Sequence, residues 1–143
     1  MSPKRIPTKP DRFMRGGIYI CNLPTQTVTE TTDGRVHHRN GVERQGPHPC
    51  VVISAGEFND SQANGLIVIP MISAVNVDLT KFNAVPSSWV RVISQGEPGY
   101  VLVEQVRYID RSRCKRHLGD LVECDLRQVE NKLKQLLSNS RMV

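Results

Sequence analysis

A small, strongly bent β-sheet or barrel with one helix packed on it is the fold class this chain predicts. Three observations carry that reading. Five or six short runs rich in β-branched, apolar and aromatic residues are separated by turn-forming residues. One segment near the C-terminus repeats its apolar residues at helical spacing. The chain has 143 residues, 38% of them hydrophobic and 23% charged, which fits one domain with a modest core.

Taken in order, residues 1–14 are rich in Pro and Lys and poor in apolar side chains, so a flexible basic arm is expected, followed by one domain over 15–143. "GGIYICNL" (Gly16 to Leu23) reads as the first strand. Pro24 to Pro49 is long, polar and broken by "DG" and "NG" turn signals, with a hairpin expected about Asp33-Gly34. A loop of this length in a compact domain is usually functional or disordered. "CVVISAGEF" (Cys50 to Phe58) opens like a buried strand, and "FNDSQANG" reads as a hairpin connection. "NGLIVIPMIS" (Asn64 to Ser73) is a second buried strand, with a bend or a sheet edge expected at Pro70. "SWVRVIS" alternates and is expected to be half-buried. "GYVLVEQVRYID" (Gly99 to Asp110) reads as one strand, after which "RSRCKRHLGDL" leads into the last element. That element is a helix from about Glu123 to Leu137. Leu126, Val129, Leu133, Leu136 and Leu137 form one apolar stripe along it. Glu123 and Asp125 in its first turn suit the helix dipole.

The net charge is +5 and the basic residues are bunched, in the N-terminal arm and in "RSRCKR". A polyanion such as RNA or DNA would account for the bunching, and so would ordinary solvated surface. Four cysteines, Cys21, Cys50, Cys114 and Cys124, show no C-x-x-C pair and no zinc spacing with the histidines. The N-terminus lacks an apolar signal region, and no run approaches the length of a membrane span. A cytoplasmic protein with reduced thiols and no membrane partner is expected.

Phosphate-binding glycine loops and a G-x-S-x-G nucleophile elbow are absent. What remains is "HHRNGVERQGPHP", dense in cations, amides and histidines. RNA cleavage needs a base for the 2′-hydroxyl, an acid for the 5′-oxygen and positive charge for the crowded phosphorane. His, Arg, Glu and hydroxyl groups supply all three without a metal or a cofactor. Many surface loops contain the same residue types.

The segment "GVERQGPHPCVVISAGEFN" resembles the G-x-E-Q-x-G-x-R-P-hydrophobic signature of the MazF/PemK-type toxins of bacterial toxin–antitoxin systems. "RGGIYICNLP" is similar to that family's opening strand and "NGLIVIPMIS" to its second core strand, which ends in Ser or Thr. "VLVEQVRYID" resembles its acid-Gln-x-Arg-x-x-Asp strand, and "LVECDLRQVENKLKQLL" its closing helix. The likeness runs over roughly residues 15–138. It implies an SH3-like β-barrel of the CcdB/MazF type with a C-terminal helix. It further implies a toxin that is a metal-independent, sequence-specific endoribonuclease acting on single-stranded RNA, with 2′,3′-cyclic phosphate and 5′-hydroxyl products. A cognate antitoxin and a homodimer are the implied partners.

On this resemblance Glu43 falls on the family's loop acid, and Gly46 and Pro49 on its Gly and Pro. Ser73 falls on the hydroxyl that binds the scissile phosphate, Glu104 on an acid that is the general base in some members, and Gln105 and Arg107 on the Gln-x-Arg pair near the RNA groove. The family's loop Gln is Arg44 here, and its catalytic Arg is His48. His48, Ser73, Arg44 and Glu104 are therefore the catalytic candidates. Glu43, Gln45, Gln105, Arg107 and Arg39 are the RNA-binding candidates. Simpler roles stand beside each: His48 shaping the start of a strand, Arg44 a solvated loop cation, Ser73 a strand cap, and Glu104 with Arg107 a structural ion pair. Tyr19, Phe58, Trp89 and Tyr100 are candidates for base stacking or for packing. Two other readings of the whole remain: a binding module of this fold that has lost its chemistry, and a gyrase-inhibiting toxin of the CcdB type.

Overall fold

The computed structural model describes residues 12–24, 29–30, 36–37, 44–59, 64–76 and 85–138. They form nine strands and two α-helices: β1 (Gly17–Leu23), β2 (Thr29–Glu30), β3 (Val36–His37), β4 (Gly46–Val52), α1 (Gly56–Asn59), β5 (Gly65–Ser73), β6 (Trp89–Ser94), β7 (Glu97–Leu102), β8 (Arg107–Asp110), β9 (Cys114–Asp120) and α2 (Glu123–Leu137). Seven strands make one antiparallel sheet in the order β6-β7-β5-β4-β1-β9, with β8 also on β5. The ladder curls strongly but does not close. The β2–β3 pair, Thr29 opposite His37, supplies the two arms of the hairpin expected about Asp33-Gly34, whose turn lies outside the described residues. Among the described residues no helix is long and apolar enough to cross a membrane.

The strands read as continuous apolar runs because both faces of the sheet are covered. Ile18, Val51, Ile69, Met71, Val92 and Val101 turn to one face, where α2 adds Leu126 and Val129. Tyr19, Cys21, Cys50, Val52, Leu66 and Val68 turn to the other, where Phe13 packs on them. Tyr19 is thus a core residue, its hydroxyl accepting from the Met14 amide at 3.1 Å. The apolar stripe of α2 is buried only in its first half: Leu136 and Leu137 are 45% and 71% exposed. Gly16, with φ of 86°, leaves room for Leu126, whose Cδ2 would stand 3.0 Å from a Cβ there.

Three sequence expectations need correction. The segment from Pro24 to Pro49 is not all loop: "GPHP" lies inside β4, and the strand from Cys50 ends at Val52, giving way to α1. "GYVLVEQVRYID" is not one strand. Ser73 faces Gly99 and Met71 faces Val101, but Val68 faces Arg107. A 3-10 turn at Val103–Gln105 therefore interrupts it and shifts its register against β5 by three residues. Pro70 sits opposite that interruption, within the unbroken strand β5 and inside the sheet rather than at its edge. "CKRHLGD" is the edge strand β9, not a lead-in. The basic bunch is accordingly divided. Arg111 stacks over Phe13, 5.4 Å from the ring centre, and Arg113 donates to the Asn22 carbonyl at 3.1 Å. Lys115 and Arg116 stay exposed on β9.

Beneath β5, the buried Asn59 amide donates to the Phe13 carbonyl at 3.0 Å and the Ser54 carbonyl at 2.9 Å, and its oxygen accepts from the Ser54 hydroxyl. It ties α1 to the segment leading into β1. Replacing it strands two buried carbonyls, so Asn59→Ala is expected to lower unfolding free energy by about 2 kcal/mol, read as a fall in the urea midpoint at unchanged slope.

Candidate active site

Two prolines in β4 create the candidate site. The Ile53 amide donates to the Ile67 carbonyl at 3.0 Å, which places Ile53–Ile67 among the hydrogen-bonded pairs of the β4–β5 ladder. Alternation makes Val51–Ile69 the next such pair and Pro49–Met71 the one after. Pro49 has no N–H to give. The paired register accordingly stops at Cys50–Pro70. Pro47 is the next residue of the same parity, so β4 cannot donate to β5 there either. On its other edge β4 stays paired with β1, His48 opposite Cys21. His48 lies on that bonded edge, between two residues that leave the opposite edge open.

The splay of β4 from β5 is a cleft of about 260 Å³ lined by Arg44, His48, Pro49, Met71, Ile72 and Ser73. Three of the four catalytic candidates are thereby brought together, although Ser73 is far from the other two in sequence. His48 is half-buried, and its pKa lies below the ordinary 6.5. Burial is the main cause, the Arg44 and Arg107 charges push the same way, and a hydrogen bond with the Gln45 backbone opposes them. Its imidazole is neutral at pH 7. The Nε of Arg44 is buried and has no hydrogen-bond partner among the described residues. As a cation lining the cleft, Arg44 suits a phosphate oxygen.

Gln105 and Arg107 hold Arg44 by its backbone. The Gln105 Oε1 accepts from the Arg44 amide at 2.9 Å, and Arg107 Nη1 donates to the Arg44 carbonyl at 3.0 Å. Arg107 Nη2 also donates to Gln105 Oε1 at 3.2 Å. The three-residue interruption between β7 and β8 is what turns Gln105 toward Arg44, a familiar use of a bulge beside a site. Glu104, on the same turn, is carried elsewhere. Its two oxygens accept from Ser88 Oγ at 2.9 Å and Trp89 Nε1 at 2.8 Å, and it does not line the cleft. It forms no pair with Arg107. Gln45 precedes β4 and is half-buried. Arg39 and Glu43 lie outside the described residues. Trp89 and Tyr100 pack on each other with ring centres 5.8 Å apart.

Sequence reading missed Pro49, Met71 and Ile72 as walls of the cleft. The signal was present in "GPHPC": two prolines one residue apart mark a strand whose same edge loses two donors.

The chain matches the family model of the PemK-like, MazF-like toxins of type II toxin–antitoxin systems over residues 14–137. No curated protein matches it in sequence. Among solved structures it is similar to MazF from Deinococcus radiodurans, with 23% identity, 88% of this chain and 96% of that one covered, and a TM-score of 0.64. It is also similar to an endoribonuclease from mycobacterial species, with 13% identity, coverage of 93% and 95%, and a TM-score of 0.57. The same comparison finds a mycobacterial endoribonuclease in complex with its cognate antitoxin, with 14% identity, coverage of 89% and 94%, and a TM-score of 0.57. These likenesses show a common fold, mostly antiparallel sheet with a C-terminal helix. With the family model spanning nearly the whole described domain and the cleft standing where its signature loop meets its second core strand, the chain belongs to the PemK-like, MazF-like toxin family of type II toxin–antitoxin systems.

Proposed function

We propose that this toxin is an endoribonuclease that cleaves single-stranded RNA by transesterification in the β4–β5 cleft. The observation that carries the reading is the convergence of Arg44, His48 and Ser73 on one opening between two core strands. The neutral imidazole of His48 takes the proton of a 2′-hydroxyl. The freed 2′-oxygen attacks the adjacent phosphorus, the bond from phosphorus to the 5′-oxygen breaks, and that oxygen takes a proton from solvent, to which the His48 imidazolium then gives up its own. The products are a 2′,3′-cyclic phosphate and a 5′-hydroxyl. Arg44, which lines the cleft, opposes the charge of the phosphorane with its guanidinium. The Ser73 hydroxyl donates to a phosphate oxygen. Gln105 and Arg107 act through Arg44, whose backbone they fix. His48 acts as base in this scheme because burial beside two cations disfavours its protonated form.

The partners follow from the same reading. Single-stranded RNA enters the cleft, a cognate antitoxin blocks it, and the active form is a homodimer; a similar mycobacterial endoribonuclease is found in complex with its cognate antitoxin. The presence of His48 where the family carries Arg supports a second reading, a toxin fold that binds RNA or antitoxin without cutting. The expected behaviour of His48 separates the two.

Purified protein mixed with random-sequence RNA in EDTA is expected to cut it and leave cyclic-phosphate ends. His48→Ala is expected to lower the rate at least about 100-fold. Intact RNA from pH 5.5 to 8.5 would leave the binding-only reading. A depressed pKa means that the base is present at high pH and is lost as pH falls through the folded value. The cleavage rate is thus expected to rise with pH to a plateau, with a midpoint below 6.5. The His48 ring protons, followed by NMR, are expected to titrate at that same midpoint, and Arg44→Gln to move it upward by removing a neighbouring cation. Gln105→Ala is expected to lower kcat about tenfold with little change in KM, since it loosens the mounting of Arg44 rather than a contact with RNA.

A further inference from the structure

Residues Ser94-Gln95-Gly96-Glu97 join β6 to β7 through a two-residue turn. Both central residues have positive φ, 55° at Gln95 and 78° at Gly96, as a type I′ hairpin requires. Gln95 is the one non-glycine residue in that region among the described residues. Asn or Asp would occupy its place at lower cost. Gln has one methylene more, and with that length its Nε2 donates to the Leu118 carbonyl of β9. The hairpin tip is thus fastened across the opening between the two edge strands of the unclosed sheet.

Under this fastening lies a cavity of about 150 Å³ with mostly apolar walls, including Ile18, Ile72, Pro98 and Leu118. Ser94 and Glu97 stand among its polar groups. It shares Pro49, Met71, Ile72 and Ser73 with the cleft that holds His48 and Arg44. The two spaces are therefore neighbours that share these walls, with Ser73 lining both.

We propose that this cavity receives one unpaired pyrimidine base of the RNA strand, beside the phosphate that is cut, and makes the toxin select a pyrimidine there. The inference rests on the RNA-cleavage reading above and adds a base-selecting subsite to it. A pocket near 150 Å³ matches one six-membered ring more closely than the two rings of a purine. Apolar walls suit the faces of a base, as unstacked single-stranded bases require. The Ser94 hydroxyl and the Glu97 carboxylate suit its polar edge, which must not be left unpaired on burial. Gln95 holds the wall against which the ring rests.

Mapping the ends of all fragments from a random RNA pool tests this with the full chain. A pyrimidine is expected at one of the two nucleotides flanking the cut, favoured about tenfold over purines. Ser94→Phe, which fills the cavity from β6, is expected to reduce that preference to about twofold or less. Leu118→Phe fills it from the opposite side and is expected to do the same. Equal cutting beside purines at both positions, or an unchanged preference in either folded variant, overturns the proposal. A direct binding measurement separates this from failure of the cleavage reading. Uridine 3′-monophosphate is expected to shift the backbone amides of Ser94 and Gly99 in NMR spectra saturably, and adenosine 3′-monophosphate at the same concentration to leave them in place. No shift with uridine, or equal shifts with both, overturns the subsite whether or not the protein cuts RNA.

Discussion

The missing N–H of Pro49 is the constraint on which the rest of the site depends. Antiparallel strands stay together by exchanging pairs of hydrogen bonds, and β4 reaches a pair it cannot complete at Pro49–Met71. Pro47 repeats the defect two residues on. Because β1 pairs with the other edge of β4 down to Gly46, the strand remains in the sheet instead of peeling away. The result is a sheet opened along one seam. A strand with N–H groups at these two positions would zip the seam shut and leave Arg44, His48 and Ser73 without a common space.

A second interruption aligns with the first across β5. Pro70 also lacks a donor, and the three residues Val103–Gln105 are extra to the pairing on that side. The freed turn sends Gln105 toward Arg44 and Glu104 toward Trp89. One local defect thus mounts the cleft's cation on a buried amide and keeps an acid out of the cleft. Burial, with two nearby guanidinium groups pushing the same way, is why His48 holds its proton weakly. Packing continues behind the seam in two layers, one filled by α2 and one by the thiols and aromatic rings around Tyr19. The rigid parts of the fold hold the edges of the opening in place.

Much of the frame was legible in the chain. The helix was found to the residue because Leu126, Val129 and Leu133 recur at a helical period with acids in the first turn. β5 and β6 were legible from apolar continuity and from alternation. β9 was not, because only Cys114 among "CKRHLGD" is fully buried. An edge strand half in solvent has no pattern to announce it, and its pairing with β1 makes it a strand. β4 was read too late by four residues, since prolines near a glycine signal a turn unless a neighbour on one edge supplies the bonds. Glu104 was read inside one strand, and the family resemblance gave it a catalytic role. Its actual direction follows from a register shift that depends on where β5 changes partners.

By itself the sequence determined most of the element types, the order of the motifs and the chemical character of the segment before Cys50. These depend on local propensity and on periodicity, which are properties of neighbouring residues. Only the tertiary structure decided that Ser73 shares a cleft with His48, that Gln105 and Arg107 grip Arg44, and that Gln95 spans the open edge to Leu118. Those contacts join residues far apart in the chain, and their existence depends on which hydrogen-bonded pairs a sheet can and cannot complete. The two prolines were visible from the start, but their effect was not. A missing donor has a consequence only when a particular strand lies opposite it.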